Sequence, residues 1–132
     1  MGRNMLDALH RDVTWATLEY GMRGQAQREN AIAVNVDNAN TPHYKRLEVD
    51  FLSGLKEALA SGGDRTQLSQ AVRSGSTREY VIEDESFNND ENSVDIAAEM
   101  GLLARNSVDR ATSYSLMQKK LRTYKMVMRD GR

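Results

Sequence analysis

The chain has 132 residues, and its 18 Lys and Arg against 19 Asp and Glu give a net charge of −1. This balance provides no basic field of the kind that nucleic-acid binding uses, and the absence of cysteine excludes disulfides, thiolate metal sites and thiol nucleophiles. No run approaches the roughly 18 apolar residues of a membrane helix, so direct membrane insertion is not expected. Charged residues make up 28% of the chain, with two Phe and one Trp. That composition favours long helices that pack on partners over one large central core.

A long N-terminal helix is predicted from about Met5 to Val36. Its apolar residues recur at steps of three and four, which is typical of one helix face. Gly21 and Gly24 interrupt the pattern, each costing about 1 kcal/mol relative to alanine, so a weak point is expected there. The residues predicted to pack along this face include Leu6, Leu9, Val13 and Tyr20.

The stretch NVDNANTPHYKR, residues 35–46, is predicted to end that helix. Asparagine side chains compete with the helix for backbone hydrogen bonds. Pro42 disfavours the helical conformation at Thr41, so the helix should stop by Asn40. Residues 1–46 therefore form a first unit, a helix with an asparagine-rich stop.

The middle unit, residues 47–92, gives weaker signals. Asp50 can cap a short helix that Gly62 and Gly63 end. Residues 78–84 can form one short strand, and the acidic, polar residues 83–92 are typical of a loop. This unit is predicted to be a short helix followed by a variable, partly flexible segment with irregular or short β structure.

A second long helix is predicted within residues 93–132, with Ser93 or Asp95 as its N-cap. Met100, Ser107, Tyr114, Leu121 and Met128 lie seven residues apart, the spacing of a helix that packs along another helix. The fold class is therefore mainly α, with the two long helices forming a coiled-coil-like pair. Because the polar middle cannot cover their apolar faces, we expect these faces to pack between chains. The predicted interface of the second helix comprises Met100, Leu103, Tyr114, Met117, Leu121, Tyr124 and Met128.

Two motifs resemble those of the flagellar rod, hook and hook-associated axial proteins. In that family the first helix ends in Asn-x-x-Asn-x-x-Thr-Pro-Gly-Tyr-Lys, and Asp-Gly-Asn-x-Val-Asp opens the last helix. Here His43 and Glu91 stand at the two glycine positions. Either both residues have ordinary negative φ, or both adopt the left-handed conformation that glycine tolerates. The residues that match are Asn35, Asn38, Asn40, Thr41, Pro42, Tyr44 and Lys45 in the first motif and Asp90, Asn92, Val94 and Asp95 in the second.

The short middle and the segments RLEVDF and EMGLLARNS are similar to those of the smallest subunit of the proximal rod. The resemblance implies a structural subunit with no enzymatic activity and no cofactor. It implies export through the flagellar type III apparatus into the periplasmic space, and charged residues near the N-terminus predict no cleaved signal peptide. It also implies that the terminal helices polymerise with further copies and with other rod and basal-body base proteins, forming a torque-transmitting shaft.

Other interpretations rest on less specific patterns. His10 and His43 have no partners at a spacing that supports a metal or catalytic site. The acidic residues 83–91 lack a calcium-binding loop motif. The basic residues near the C-terminus lie where a helix dipole favours them, which accounts for them without nucleic acid. The alternative function is a soluble helical adaptor that binds a protein partner through the same apolar faces.

Overall fold

The computed structural model describes residues 5–82 and 89–130, and their fold is mainly α, as predicted. Two long helices, α2 and α5, run antiparallel: Asn35 of α2 contacts Glu99 of α5, and Asp12 before α2 contacts Tyr124 near the other end. Two short helices and a two-stranded sheet lie between them in sequence, and a third short helix precedes α2. The elements are α1 (Met5–His10), α2 (Val13–Asp37), β1 (Leu47–Asp50), α3 (Leu52–Ala60), α4 (Arg65–Ser74), β2 (Arg78–Val81) and α5 (Ile96–Asp130).

The N-terminal helix is divided at a different place from the one expected. The chain leaves helical geometry at Arg11 and Asp12, and the Asp12 side chain caps α2 by accepting a hydrogen bond from the Trp15 amide at 3.0 Å. The helix α2 then continues without interruption through Gly21 and Gly24 to Asp37. Tertiary packing therefore outweighs the low helix propensity of the two glycines.

Gly24 is required by a close approach to an aromatic side chain. A Cβ atom at this position would lie 2.3 Å from Cγ of Phe51, which is buried. Among the described residues, nothing lies within 4 Å of a Cβ built at Gly21. The two glycines of α2 thus face different surroundings, one packed against the core and one open.

We expect Gly24→Ala to lower the free energy of unfolding by about 1 to 3 kcal/mol, because the added methyl group must displace Phe51. Gly21→Ala is the matched control, and we expect it to raise that free energy by up to about 1 kcal/mol through helix propensity. Urea unfolding of both variants measures the difference. Equal effects of the two variants would show that the close approach of Phe51 is not the reason why glycine is needed at position 24.

The hydrophobic core lies between α2, β1, α3 and α4. Tyr20 is fully buried in it, and its hydroxyl donates to the Ser76 carbonyl at 2.9 Å. Within the described residues the core cluster contains no member of α5. Its buried members are Ala16, Tyr20, Ala31, Val49, Phe51 and Val72, with Leu47, Leu55 and Ala58 packed against them.

The middle unit has more regular structure than the sequence predicted. The expected strand is present as β2, and it pairs antiparallel with β1, which was not predicted; Leu47 lies opposite Val81 and Asp50 opposite Arg78. The last residues of the predicted strand, Glu83 and Asp84, lie outside the described residues, as does most of the predicted acidic loop. Among the helices of the described ranges, none is long and apolar enough to cross a membrane.

The helix α4 was also missed, although its start carries a local signal. The Asp64 carboxylate accepts from the amides of Thr66 and Gln67, and the Gln67 side chain accepts from the Asp64 amide at 3.0 Å. This reciprocal arrangement is a capping box. The Asp50 side chain accepts from the Ser53 amide at 3.0 Å at the start of α3, and Gly62 has a φ of +73° just after its end.

Candidate functional site: the motif junction

The two sequence motifs lie side by side where α2 ends and α5 begins. The His43 amide donates to the Asp90 carbonyl at 3.0 Å, and the Ser93 amide donates to the Tyr44 carbonyl at 3.1 Å. The Arg46 amide donates to the Ser93 hydroxyl at 2.8 Å. We call residues 35–46 and 90–99 together the motif junction. It joins segments about 50 residues apart in sequence.

Asn92 is the central residue of the second motif. Its side chain is fully buried, and its amide nitrogen donates to the carbonyls of Asn38 at 2.9 Å and Thr41 at 2.7 Å. Its side-chain oxygen accepts from the Val94 amide at 2.8 Å. One asparagine therefore satisfies backbone groups after α2 and before α5, as helix ends require.

Asn35 has the corresponding role in the first motif. Although it lies in α2 and is fully buried, its side chain bonds both backbone groups of Leu47, accepting from the amide at 2.7 Å and donating to the carbonyl at 2.9 Å. Its oxygen also accepts from the Tyr44 hydroxyl at 3.1 Å. The amide side chain thus fixes the start of β1 against α2.

A buried ion pair completes the motif junction. The Glu99 side chain is 1% exposed, and its carboxylate accepts from Arg46 Nε at 2.9 Å and from Asn35 Nδ2 at 3.2 Å. Burial alone would lower the pKa of Arg46, but the hydrogen bonds and charges of Glu99 and Glu48 outweigh it and raise that pKa above its usual value. Arg46 is therefore firmly cationic, and Glu99 has the partner that a buried carboxylate requires.

His43 and Glu91 both adopt the left-handed conformation, with φ of 60° and 62°. This resolves the question that the sequence left open: both positions use the geometry that the glycines of the resembling motifs permit, at a cost of about 1 kcal/mol or more each. Their exposed side chains meet, with His43 Nδ1 3.2 Å from Glu91 Oε2, and Lys45 Nζ donates to the Glu91 carbonyl at 3.0 Å.

Some of the remaining motif residues cap the ends of helices, and others are exposed. The Asn38 side chain donates to the Val34 carbonyl at 2.9 Å at the end of α2. The Asp95 carboxylate caps α5 by accepting from the amides of Ala97 and Ala98. Three residues between these caps, Asn40, Thr41 and Pro42, are exposed, whereas Val94 is buried.

The residues predicted to form the helix interface fall into three groups. Leu9 and Tyr20 are buried within the chain, and the side chain of Leu6 lies outside the described residues. A second group is half-buried: Val13, Leu103, Met117, Leu121 and Tyr124. The third group is exposed: Met100, Tyr114 and Met128.

Sequence reasoning missed the polar residues that face α2 from α5. Asn106 is buried and donates to the Gln25 carbonyl at 2.9 Å, while Gln25 Nε2 donates to the Ser113 hydroxyl at 3.2 Å. Buried polar residues are missed by a search for apolar periodicity, and Asn and Gln at steps of three and four carry no separate signal.

A second charged cluster holds the far ends of the two helices together. The Asp12 carboxylate contacts Lys120 Nζ at 2.8 Å and accepts from the Tyr124 hydroxyl. Burial would raise the pKa of Asp12, but its hydrogen bonds, chiefly from Lys120 and Tyr124, hold that pKa below the usual value. Burial and the bond to Asp12 raise the pKa of Tyr124 to about 12. The pair is thus charged aspartate and neutral tyrosine at neutral pH.

None of these arrangements gathers the side chains of a metal centre. Within residues 5–82 and 89–130, no three His, Cys, Asp or Glu side chains converge in a way that could hold a metal ion. The motif junction instead connects helices, through asparagine amides and one ion pair. It fixes where α2 ends, where β1 starts and where α5 begins.

Comparison with known proteins gives the family. No protein-family model matches the sequence. The chain is 29% identical over 140 residues to the flagellar basal body rod protein FlgB of Escherichia coli K12, an alignment that spans 96% of this chain and 99% of the relative. It is 32% identical over 98 residues to the FlgB protein of Cereibacter sphaeroides, spanning 71% and 77%, and 26% identical over 121 residues to that of Aeromonas hydrophila, spanning 86% and 91%. The chain therefore belongs to the family of the flagellar basal body rod protein FlgB.

Proposed function

We propose that this structural subunit of the flagellar basal body rod forms part of the proximal rod and polymerises through α2 and α5. One observation carries the proposal: most of the large apolar residues of α5 are exposed. Met100, Tyr114 and Met128 are 44%, 55% and 42% exposed, and they lie at multiples of seven residues. Together with Ser107 and the half-buried Leu121 they form what we call the outward stripe.

The exposed apolar surface of α5 is more extensive than is usual for a monomeric protein. Monomeric proteins rarely leave such rows in water, and burying them between subunits would stabilise an assembly. The outward stripe has the spacing of helix-to-helix packing. Other large apolar residues of α5 that are exposed are Ile96, Leu102, Val108, Leu116, Met126 and Val127.

We also propose where the subunits assemble. After export through the flagellar type III apparatus, copies of the chain join one another and other rod and basal-body base proteins in the periplasmic space. In this role the motif junction keeps α2 and α5 aligned while the shaft transmits torque, and the chain catalyses no reaction. Similarity to the FlgB proteins supports the rod subunit over the adaptor interpretation.

Deletion of the gene tests the proposal. We expect electron microscopy of purified basal bodies from the deletion strain to show no complete rods, and we expect the cells not to swim. A plasmid copy of the gene is the control and should restore both. Complete rods and normal swimming in the deletion strain would overturn the proposed function.

A further inference from the structure

We propose that the outer edge of β2 is a docking site for an extended, basic segment of another protein, which adds to the sheet as a third strand. The two-stranded sheet has two edges, the side of β1 away from β2 and the side of β2 away from β1. The chain closes the first edge and leaves the second open. This surface is separate from the helix faces through which the rod is proposed to assemble, so the inference goes beyond the proposed function.

The hydrogen bonds between β1 and β2 determine which backbone groups point to each edge. The Ile82 amide donates to the Arg46 carbonyl at 3.0 Å, and the register places Glu48 opposite Tyr80. In an antiparallel pair, hydrogen-bonded and non-hydrogen-bonded residue pairs alternate along the strands. The backbone groups of Glu48 and Tyr80 therefore bond each other, whereas those of the intervening residues on each strand point outward to the edges.

Side chains of α2 occupy the outward backbone groups of β1. Asn35 bonds both the amide and the carbonyl of Leu47, and Arg28 Nη2 donates to the Val49 carbonyl at 3.3 Å. The Arg28 guanidinium carbon also lies 4.7 Å from the centre of the Phe51 ring, a cation–π contact that keeps the side chain in place. This edge of the sheet is therefore closed to a further strand.

The outward backbone groups of β2 belong to Glu79 and Val81. Within the described residues their amides and carbonyls form no hydrogen bond, and all four residues of the strand are exposed. Open strand edges are templates for pairing, and proteins usually protect them with lysine, proline or a covering element. Here Tyr80 and Val81, 43% and 47% exposed, accompany the open groups. The edge thus offers donors, acceptors and apolar contact to an added strand.

The charge on one face of the sheet favours a basic occupant. Glu48 and Asp50 lie on the same face as Tyr80, because side chains of alternate residues share a face and Glu48 is opposite Tyr80. Burial raises the pKa of Tyr80, and the charges of the two carboxylates raise it further. The opposing charge of Arg46 does not outweigh them. Tyr80 therefore lies in a negative field.

The two arginines of this face already have partners. Arg78 lies 3.7 Å from Glu57, and Arg46 contacts both Glu48 and the buried Glu99. With Asp50, the carboxylates of this region outnumber its guanidinium groups. A third strand would lie about 4.8 Å beyond β2, a distance that a lysine or arginine side chain spans easily. A cation on that strand would therefore meet a net acidic face.

The occupant that fits these features is an extended segment in which basic and apolar residues alternate. One side of such a strand places Lys or Arg beside Tyr80, and the other places Val, Ile or Thr beside the exposed Val81. Its backbone pairs with the open groups of Glu79 and Val81. In contacts of this kind the main-chain bonds provide affinity and the alternate side chains provide specificity.

Hydrogen exchange of the full chain, followed by NMR, tests the docking site one amide at a time. The probe is a synthetic peptide of about seven residues with blocked termini, in which Lys and Val alternate. In the free protein we expect fast exchange at Glu79 and Val81 and protection at Tyr80, whose amide bonds β1. Millimolar peptide should slow exchange at Glu79 and Val81 several-fold and leave the exposed Lys56 side of α3 unperturbed.

Two peptides of the same length are the matched controls. One carries Glu in place of Lys and should give no protection, because it faces the same carboxylates. The other keeps Lys but is N-methylated on alternate residues, so that it lacks the donors that a third strand needs. It should also give no protection, since its side chains alone do not pair with the edge.

A variant of the chain tests the backbone contact from the other side. Val81→Pro removes one outward amide and keeps the hydrogen bonds to β1, which is the arrangement in which an edge strand tolerates proline. We expect the amide of Tyr80 to remain protected in the free variant, showing an intact sheet. The protection that the basic peptide gives to Glu79 should fall several-fold.

Three outcomes would overturn the inference. Slow exchange of Glu79 and Val81 in the free protein would show that the chain itself covers this edge. Unchanged exchange at these amides with millimolar basic peptide would show that the edge accepts no such strand. Equal protection by the acidic peptide would show that charge does not select the occupant. Each outcome leaves the proposed function intact, since the deletion strain tests that separately.

Discussion

Replacing Arg46 with alanine is expected to lower the free energy of unfolding by about 3 to 5 kcal/mol, because Glu99 would remain buried without its charged partner. The carboxylate of Glu99 is nearly inaccessible to water, and Asn35 would be its remaining side-chain partner. Urea unfolding at neutral pH measures the loss. Adding Glu99→Gln to the variant removes the unpaired charge, so the double variant should lose less stability than Arg46→Ala alone.

An exposed arginine of the same chain provides the matched control. Arg78 lies 3.7 Å from Glu57, and both side chains are well exposed. Pairs of this kind contribute about 0 to 1 kcal/mol, so Arg78→Ala should change the free energy of unfolding by no more than that. If Arg46→Ala and Arg78→Ala have the same effect, the buried pair does not hold the motif junction together.

Asn92→Ala is expected to lower the free energy of unfolding by about 3 kcal/mol. The change removes three hydrogen bonds of a buried side chain, two to the carbonyls of Asn38 and Thr41 and one from the amide of Val94, and each contributes about 1 kcal/mol. Because these bonds join the end of α2 to the start of α5, a deletion strain complemented with this variant should also swim poorly.

Asn40→Ala is the control for that variant, since it removes the same side chain from an exposed position of the first motif. Its effect on the free energy of unfolding should remain within about 0.5 kcal/mol. Urea unfolding and soft-agar swimming assays compare the two variants. A loss of stability from Asn40→Ala equal to that from Asn92→Ala would contradict the central role of Asn92.

The parts of the fold that the sequence predicted are those with local causes. The helix stop after Asp37 and the cap at Asp95 each depend on residues within a few positions of one another. The strand β1 was missed because its partner lies about 30 residues away, and a short strand shows little periodicity by itself. The helix α4 was overlooked, although its Asp64 and Gln67 form a capping box that can be recognised in the sequence.

Apolar periodicity identified faces of helices but could not say what covers them. Tyr20 and Tyr114 occupy equivalent places in their patterns, yet Tyr20 lies in the chain's own core and Tyr114 is exposed. The residues that join α5 to α2 include Glu99, Asn106 and Lys120, which no hydrophobic pattern selects. Their roles arise from partners brought close by the fold, and those partners are visible only in three dimensions.

The motif junction also affects how freely the middle of the chain can vary. The chain departs from the junction after Arg46 and returns at Asp90, and the hydrogen bonds of His43 and Tyr44 tie the two ends of this excursion together. The chain between Arg46 and Asp90 is therefore a loop whose two ends are joined by hydrogen bonds. Lengthening such a loop costs only about 0.6 kcal/mol of closure entropy for each doubling. Insertions between the two motifs can thus add surface to a subunit while α2 and α5 keep the same relative placement.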